Sequence, residues 1–331
     1  MYRIPFKNVA KESGISVRTL YRVINNAPGV SDSTRRKAIR ALNKSGYTNL
    51  HQNHRGTILI NVKNDDVFRQ PLAMELVQTL SSESSIAFVN SEQETNAFLE
   101  AVMNSSTIIS LEIISPSIMR KLQYINPSCL VINILCGGGG NLAIDSNDFL
   151  GGKLAADHLF RNGHRHILIP VPSTHHPNHA DRIMGFKAKM FENNPCARIE
   201  TAEYIVGHDS PESFWKHYFA NSQEYPTAVF CPLGGLADHF PYFAEKFASL
   251  SVPDDISIIG YNRAEERGEQ TLFKLDAVVF DLKKIVDCCK YFSQNPPLSC
   301  IDGTIHIFVE PQLITNNSVC NLKNLATKQQ Q

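Results

Sequence analysis

Residues 6–24 read FKNVAKESGISVRTLYRVI, and their spacing decides how the chain begins to fold. Val9 and Ala10 form one short apolar stripe, and Leu20, Val23 and Ile24 form a second, with Ile15 between them. Apolar positions three and four apart share one helix face, so the stretch predicts two short helices packed together. Ala10 is small where the helices must approach. Gly14 falls where the turn between them needs a positive φ, which glycine adopts at little cost. Ser16 offers an N-cap to the second helix. On this reading the second helix turns Val17, Arg18, Tyr21 and Arg22 away from the stripe. An exposed helix of that kind fits the DNA major groove, where an arginine can bond guanine O6 and N7 together. A small helical hairpin of another protein would share the glycine turn and the stripe, so the stretch alone leaves both readings open.

Charge distribution favours the first. The 331 residues carry 32 Lys+Arg and 32 Asp+Glu, a formal net charge of zero. Residues 1–55 nevertheless hold eleven Lys+Arg against only Glu12 and Asp32, so this segment is +9 and the remainder −9. A basic head gives salt-dependent attraction to phosphates, and an acidic body limits non-specific adhesion elsewhere.

After Asn26 the sequence APGVSDSTRRKAIRALNKSGY predicts a third helix from about 33 to 44, capped by Ser31 or Asp32 and ended by Gly46. Its apolar residues are Ala38, Ile39, Ala41 and Leu42. Three short helices in under fifty residues bury little surface, so such a domain needs support from a partner or from DNA.

Residues 8–47, NVAKESGISVRTLYRVINNAPGVSDSTRRKAIRALNKSGY, resemble the DNA-binding headpiece of the LacI/GalR family of bacterial transcription regulators. Val9, Ala10, Gly14, Ser16, Thr19, Arg22, Val23, Asn25, Val30, Ser31, Thr34, Arg35 and Tyr47 match the family pattern. Asn8 and Tyr21 depart from it, standing where Asp and Ser are usual. The resemblance implies that Val17, Arg18 and Arg22 choose operator bases. It implies phosphate contacts from Ser16, Thr19, Ser31, Thr34 and Tyr47, to which Tyr21 is added on the exposed-face reading. Phosphate contacts position a protein on DNA, and base contacts specify the sequence. For Ser31 and Thr34, ordinary helix capping is the alternative. Residues 48–56, TNLHQNHRG, read as a linker. The family's hinge is longer by about five residues, and its leucine wedge in the minor groove has only Leu50 as a counterpart here.

From Thr57 onward apolar runs alternate with helical ones. Strands are predicted at 57–62, 86–90, 107–111, 129–134, 166–171, 227–231 and 256–261. Helices are predicted at 70–82, 93–104, 115–122, 149–162, 179–192, 211–221, 234–249 and 281–293. Continuous apolar strands between helices predict buried parallel sheets, hence an α/β body. The expected fold is a three-helix helix-turn-helix domain (1–47), a short linker (48–56), a two-lobed core of parallel sheets (57–319) and a tail (320–331). The expected lobes are 57–145 with 270–300, and 146–265 with 301–319. The body resembles the same family's periplasmic-binding-protein-like core through GGKLAADHLFRNGHRHILI, DRIMGF, PTAVFC, VPDDISIIGYN and EPQLI.

In such folds ligands bind at the carboxyl ends of strands. The resemblance places an effector on Arg182, with Asp145, Phe149 and Asn262 lining the site. A guanidinium can hold a carboxylate or phosphate through two parallel bonds. Cys231-Pro232-Leu233-Gly234-Gly235 stands where the family has Asn-Asp, and Asn262 where it has Asp. A small molecule that is anionic or not a sugar is therefore expected, and a regulator that is effector-independent or controlled by a partner protein is the alternative. Loss of specific DNA binding by the headpiece is a second alternative.

No paired carboxylates or nucleophile–base pair suggest catalysis, and no cofactor motif is present. The Gly137–Gly140 run does not open a helix in the spacing of a dinucleotide loop. His175, His176 and His179 are read as loop histidines, not metal ligands. The eight cysteines show no zinc or disulfide spacing and suit a reduced, cytoplasmic setting. No run reaches the ~18–20 apolar residues of a membrane span. The expected regulator is a homodimeric repressor, whose twofold symmetry predicts a near-palindromic operator, and a tail without leucine heptads predicts no tetramer.

Overall fold

The computed structural model describes residues 6–24, 29–45, 57–62, 69–82, 84–90, 96–126, 129–173, 177–262, 273–297 and 303–322. The chain opens with three helices, α1 (Phe6–Ser13), α2 (Val17–Ile24) and α3 (Asp32–Lys44). Their core is Phe6, Val9, Ile15, Leu20, Tyr21, Val23, Ala38 and Leu42, all buried. Gly14 carries φ +64 between α1 and α2, as the turn requires. Gly46, Tyr47 and the linker 48–56, with Leu50, lie outside the described residues.

Among the described residues, strands form two six-stranded sheets, ordered β11-β5-β4-β3-β1-β2 and β12-β10-β9-β8-β6-β7. The first contains β1 (Thr57–Asn61), β2 (Ser85–Val89), β3 (Ser105–Ser110), β4 (Leu130–Ile134), β5 (Leu142–Ser146) and β11 (Ile305–Val309). The second contains β6 (His166–Pro172), β7 (Arg198–Tyr204), β8 (Ala228–Phe230), β9 (Ser257–Tyr261), β10 (Asp276–Val279) and β12 (Gln312–Ile314). Helices α4 (Arg69–Leu80), α5 (Asn96–Met103) and α6 (Pro116–Ile125) connect strands of the first sheet. Helices α8 (Pro177–Asn193), α9 (Pro211–Asn221), α10 (Gly234–Ala237) and α11 (Phe240–Ala248) connect strands of the second. In chain order α7 (Asp148–Arg161) leads from β5 to β6, and α12 (Leu282–Gln294) from β10 to β11. The single helix expected over 234–249 is two, because Pro241 stands in the first turn of a new helix, where its missing N–H costs nothing.

The chain divides into residues 1–144 with 285–307 and residues 145–284 with 308–331. This moves the second crossing from the expected neighbourhood of 265 to 284. The reason is β10, which pairs parallel to β9 through Ala277 and Gly260 and antiparallel to β12. A strand bonded on both sides within one sheet cannot belong to the other unit. The expected tail is likewise anchored at its start, since the Leu322 N–H donates to the Asn162 carbonyl at 3.0 Å.

Parallel strands ordinarily need a crossover of about a dozen residues, yet β4 and β5 pair in parallel across residues 135–141 alone. The glycine run makes this possible. Leu135, Gly137, Gly138, Gly139 and Gly140 all have positive φ, and a Cβ at Gly140 would stand 2.7 Å from the Val131 carbonyl oxygen. The buried Asn133 side chain pins the loop by donating to the Gly138 carbonyl at 2.9 Å.

His164 fixes a pH response. Its ring is fully buried, with Nε2 3.1 Å from the Cys320 carbonyl and Nδ1 3.1 Å from Thr227 Oγ1. A carbonyl only accepts, so Nε2 donates to it, and burial favours the neutral ring. Burial lowers its pKa from 6.5 to about 4. Between these values the unfolded chain binds a proton that the folded chain refuses. Stability is therefore full above pH 6.5 and falls as the pH drops toward 4, by about 3 kcal/mol in all. Urea unfolding across this range should show the fall, and His164→Asn should flatten it; an equal slope in the variant would assign the effect to other groups.

Candidate nucleic-acid interface and ligand site

At the start of α2 the Thr19 N–H donates to Ser16 Oγ at 3.1 Å, and the two hydroxyls lie 2.8 Å apart. At the start of α3 the Thr34 N–H donates to Ser31 Oγ at 3.3 Å, and the Ser31 hydroxyl donates to Thr34 Oγ1 at 2.9 Å. All four residues thus take part in helix caps. Ser16 and Ser31 are exposed, and Thr19 and Thr34 partly so. Hydroxyls at a helix N-terminus are also well placed for phosphate. Arg18 is exposed on α2. Arg22 is half-buried, and its guanidinium lies over Gly29, where a Cβ would stand 2.7 Å from Nη2. Val17 is half-buried and packs against the core of the three helices.

Tyr21 is a correction. The exposed-face reading puts it toward phosphate, but its side chain is buried and stacks on Phe6, ring centroids 4.8 Å apart and planes within 4°. The stack adds two aromatic rings to the small core of the three helices. The apolar stripe read from the sequence omits Phe6, so nothing in that reading draws Tyr21 inward.

In the second unit Arg182, on α8, is 5% exposed and bonded to two partners. Its Nε donates to Asp148 Oδ1 at 2.9 Å and its Nη1 to the Pro232 carbonyl at 2.7 Å. The guanidinium lies over the Tyr261 ring, 3.9 Å from the centroid, with Phe280 at 5.6 Å. Asp148 opens α7 just after the capping Asn147. Burial raises the Asp148 pKa, against the pull of Arg182. Burial likewise carries the Tyr261 phenol well above its ordinary value, aided by the neighbouring Asp148 charge.

The other expected ligand residues fall around this pair without joining it. Asp145 is buried in β5. Phe149 follows Asp148 on α7, 38% exposed, with the Lys153 ammonium 5.3 Å from its ring. Asn262 follows β9 with φ +57, and its N–H donates to the Val278 carbonyl at 2.8 Å. Sequence reasoning missed Asp148, Tyr261, Phe280 and the Pro232 carbonyl. Asp148 in the first turn of a helix was the one available signal. Although Asn262 stands in place of an aspartate, Asp148 supplies a carboxylate from another element.

His175 and His176 lie outside the described residues. Among the described residues no cluster of three metal-ligating side chains occurs, and no helix is long and apolar enough to cross a membrane.

A three-helix headpiece with an exposed arginine on its second helix, followed by two parallel-sheet units with a buried arginine–aspartate pair, defines a DNA-binding protein built on a binding-protein core. Residues 6–49 match the family described as bacterial regulatory proteins, lacI family, and residues 156–286 match the periplasmic binding protein-like domain. The chain thus carries a LacI family helix-turn-helix domain and a periplasmic-binding-protein-like domain. The transcriptional repressor PurR of Photorhabdus laumondii is 29% identical, over 77% of this chain and 80% of its own length. The transcriptional regulator DegA of Bacillus subtilis is 28% identical with the same coverage. Among solved structures, a LacI family regulator from Enterococcus faecium with bound ribose superposes with a TM-score of 0.64 at 19% identity, covering 80% of this chain and 99% of that one. A lac repressor dimer bound to operator and an anti-inducer gives 0.58 at 18% identity, covering 96% of this chain and 100% of that one. At these identities the structures speak for the fold.

Proposed function

We propose that the protein is a cytoplasmic repressor that binds a near-palindromic operator as a homodimer. The observation that carries this is the three-helix headpiece, with its second helix capped and Arg18 left exposed on it. Arg18 reads bases, aided by Arg22 and Val17. Ser16, Thr19, Ser31, Thr34 and Tyr47 hold phosphates. PurR relatives carry the name of repressors, and a related dimer has been solved on its operator.

Selection of bound sequences from a random duplex pool, at two salt concentrations, tests the reading. The expected product is a near-palindrome that persists at the higher salt. Arg18→Ala should relax the preference at one or two positions per half-site, by about 1–3 kcal/mol for each bidentate arginine–guanine pair removed. An unchanged preference would remove Arg18 from its role, and a wild-type pool without any motif would sink the proposal.

The effector site is proposed around Arg182, with Asp145, Phe149 and Asn262 near it. The Arg182–Asp148 pair offers donors and an acceptor together, so a hydroxyl-bearing molecule suits it as well as an anion does. Any such ligand must compete with bonds the arginine already makes, and a ligand stabilising one conformation would shift the population that binds DNA.

A further inference from the structure

The headpiece core does not close on its own residues. Met103, ending α5, and Ile125, ending α6, pack against it. α2 and α6 approach with Cα atoms within 8 Å of one another. α6 therefore lies beside the helix that carries Arg18.

The outer face of α6 has a distinct chemistry. Ser117, Arg120, Lys121 and Tyr124 recur three and four residues apart and so share one helix face, while Leu122 is buried on the opposite side. All four are exposed. With Ile125 they line an open depression of about 410 Å³. Ile125 belongs both to this depression and to the packing against the headpiece, so the face of α6 continues the surface of the headpiece. The body after residue 55 is net acidic, −9, yet here it places two adjacent cations next to a +9 segment. A duplex lying across both would meet cations from each.

We propose that α6 extends the operator-binding surface, with Arg120 and Lys121 holding backbone phosphates beside the half-site read by α2 and with Ser117 and Tyr124 as further hydroxyl donors. The partner is duplex DNA, recognised here through its phosphates and not its bases. The inference rests on the reading of the headpiece as an operator-binding domain.

The test measures affinity of the full chain for its selected operator as a function of salt, for wild type and for Arg120→Ala/Lys121→Ala. Each phosphate contact contributes about 0.9 to the slope of log K against log salt. The double variant should reduce that slope by about 1.8. Over a fourfold rise in salt, wild type should then weaken about twelvefold more than the variant does. Base preference, read by repeating the selection, should not change. Both side chains are exposed, so the thermal melt should match wild type. An unchanged slope overturns the proposal, and tighter binding by the variant overturns it in favour of a helix that shields the headpiece. Arg18→Ala run in parallel separates the two readings. If Arg18→Ala alters base preference and the double variant behaves as wild type, only α6 is removed. If wild type binds no duplex, both readings fall.

Discussion

Gly152→Ala is expected to destabilise the second unit by on the order of 3 kcal/mol, the upper range for forced overpacking. The cause is the crossing of α7 and α8, which pack backbone on backbone through their glycines. A Cβ at Gly152 would overlap the Arg182 carbonyl oxygen and stand 2.7 Å from the Phe186 nitrogen. A Cβ at Gly185, across the crossing, would overlap the Phe149 carbonyl oxygen. Neither obstacle is the end of a flexible side chain, so the helices must separate. Separation moves Arg182 and Phe149, and with them the proposed effector site. Gly235→Ala is the control, since a Cβ there meets nothing within 4 Å and alanine favours the short helix α10. Urea midpoints of the two variants should differ widely; a Gly152→Ala midpoint equal to the control would mean that the crossing yields without cost.

Arg182→Ala carries the second large effect. Removing the guanidinium leaves Asp148, 3% exposed at its side chain, without its cation. It also takes the donor from the Pro232 carbonyl and the cation from the Tyr261 face. Breaking a buried ion pair by deleting one partner costs about 3–5 kcal/mol, because the remaining charge stays buried and uncompensated. Adding Asp148→Asn removes that charge, so the double variant should be more stable than Arg182→Ala alone. Any response to effector should vanish in both. Operator affinity of the folded Arg182→Ala protein should stay near wild type, since among the described residues the headpiece core draws on the first unit alone. A destabilisation below about 1 kcal/mol would show that the pair is solvated and not a buried lock. Failure to bind operator without unfolding would place Arg182 in the DNA-binding route instead of a ligand site.

These results bear on what a regulator of this build must do. A ligand that takes hydrogen bonds from Arg182 releases Asp148, whose pKa burial already raises. In the proposed effector site such an exchange shifts a population only where the ligand's affinity differs between two states. The guanidinium also lies 3.9 Å from the Tyr261 centroid and 5.6 Å from that of Phe280, contacts that do not depend on the Asp148 bond.

Local patterns settled the headpiece. The spacing of Val9, Leu20 and Val23, the glycine turn and the capping serines depend on residues close in the chain, and α1, α2 and α3 form where that spacing puts them. The strands β1, β2, β3, β4, β6, β8 and β9 were legible through their apolar runs. β7, with the sequence RIETAEY, was not, because it is an edge strand with alternating exposure. β5 and β10 carry Asp145 and Asp276 in buried strands, and an aspartate in a short run reads as loop until its bonding partners are known. Asp276 accepts from the Asn316 and Ser318 N–H groups and pairs with His158.

What only the tertiary structure decided depends on residues brought together from afar. Tyr21 turned inward because Phe6 lies opposite it. Arg182 is buried with Asp148, 34 residues earlier, and the Pro232 carbonyl, 50 residues later, accepting from it. Gly152 and Gly185 are required because two helices cross there with their backbones touching. The sequence by itself determined the three headpiece helices, the apolar strands of the body and the basic head, since propensity, periodicity and charge are local or additive. Burial of a charge, stacking of two rings and close approach of two backbones are pairwise across the fold, and no local pattern encodes them.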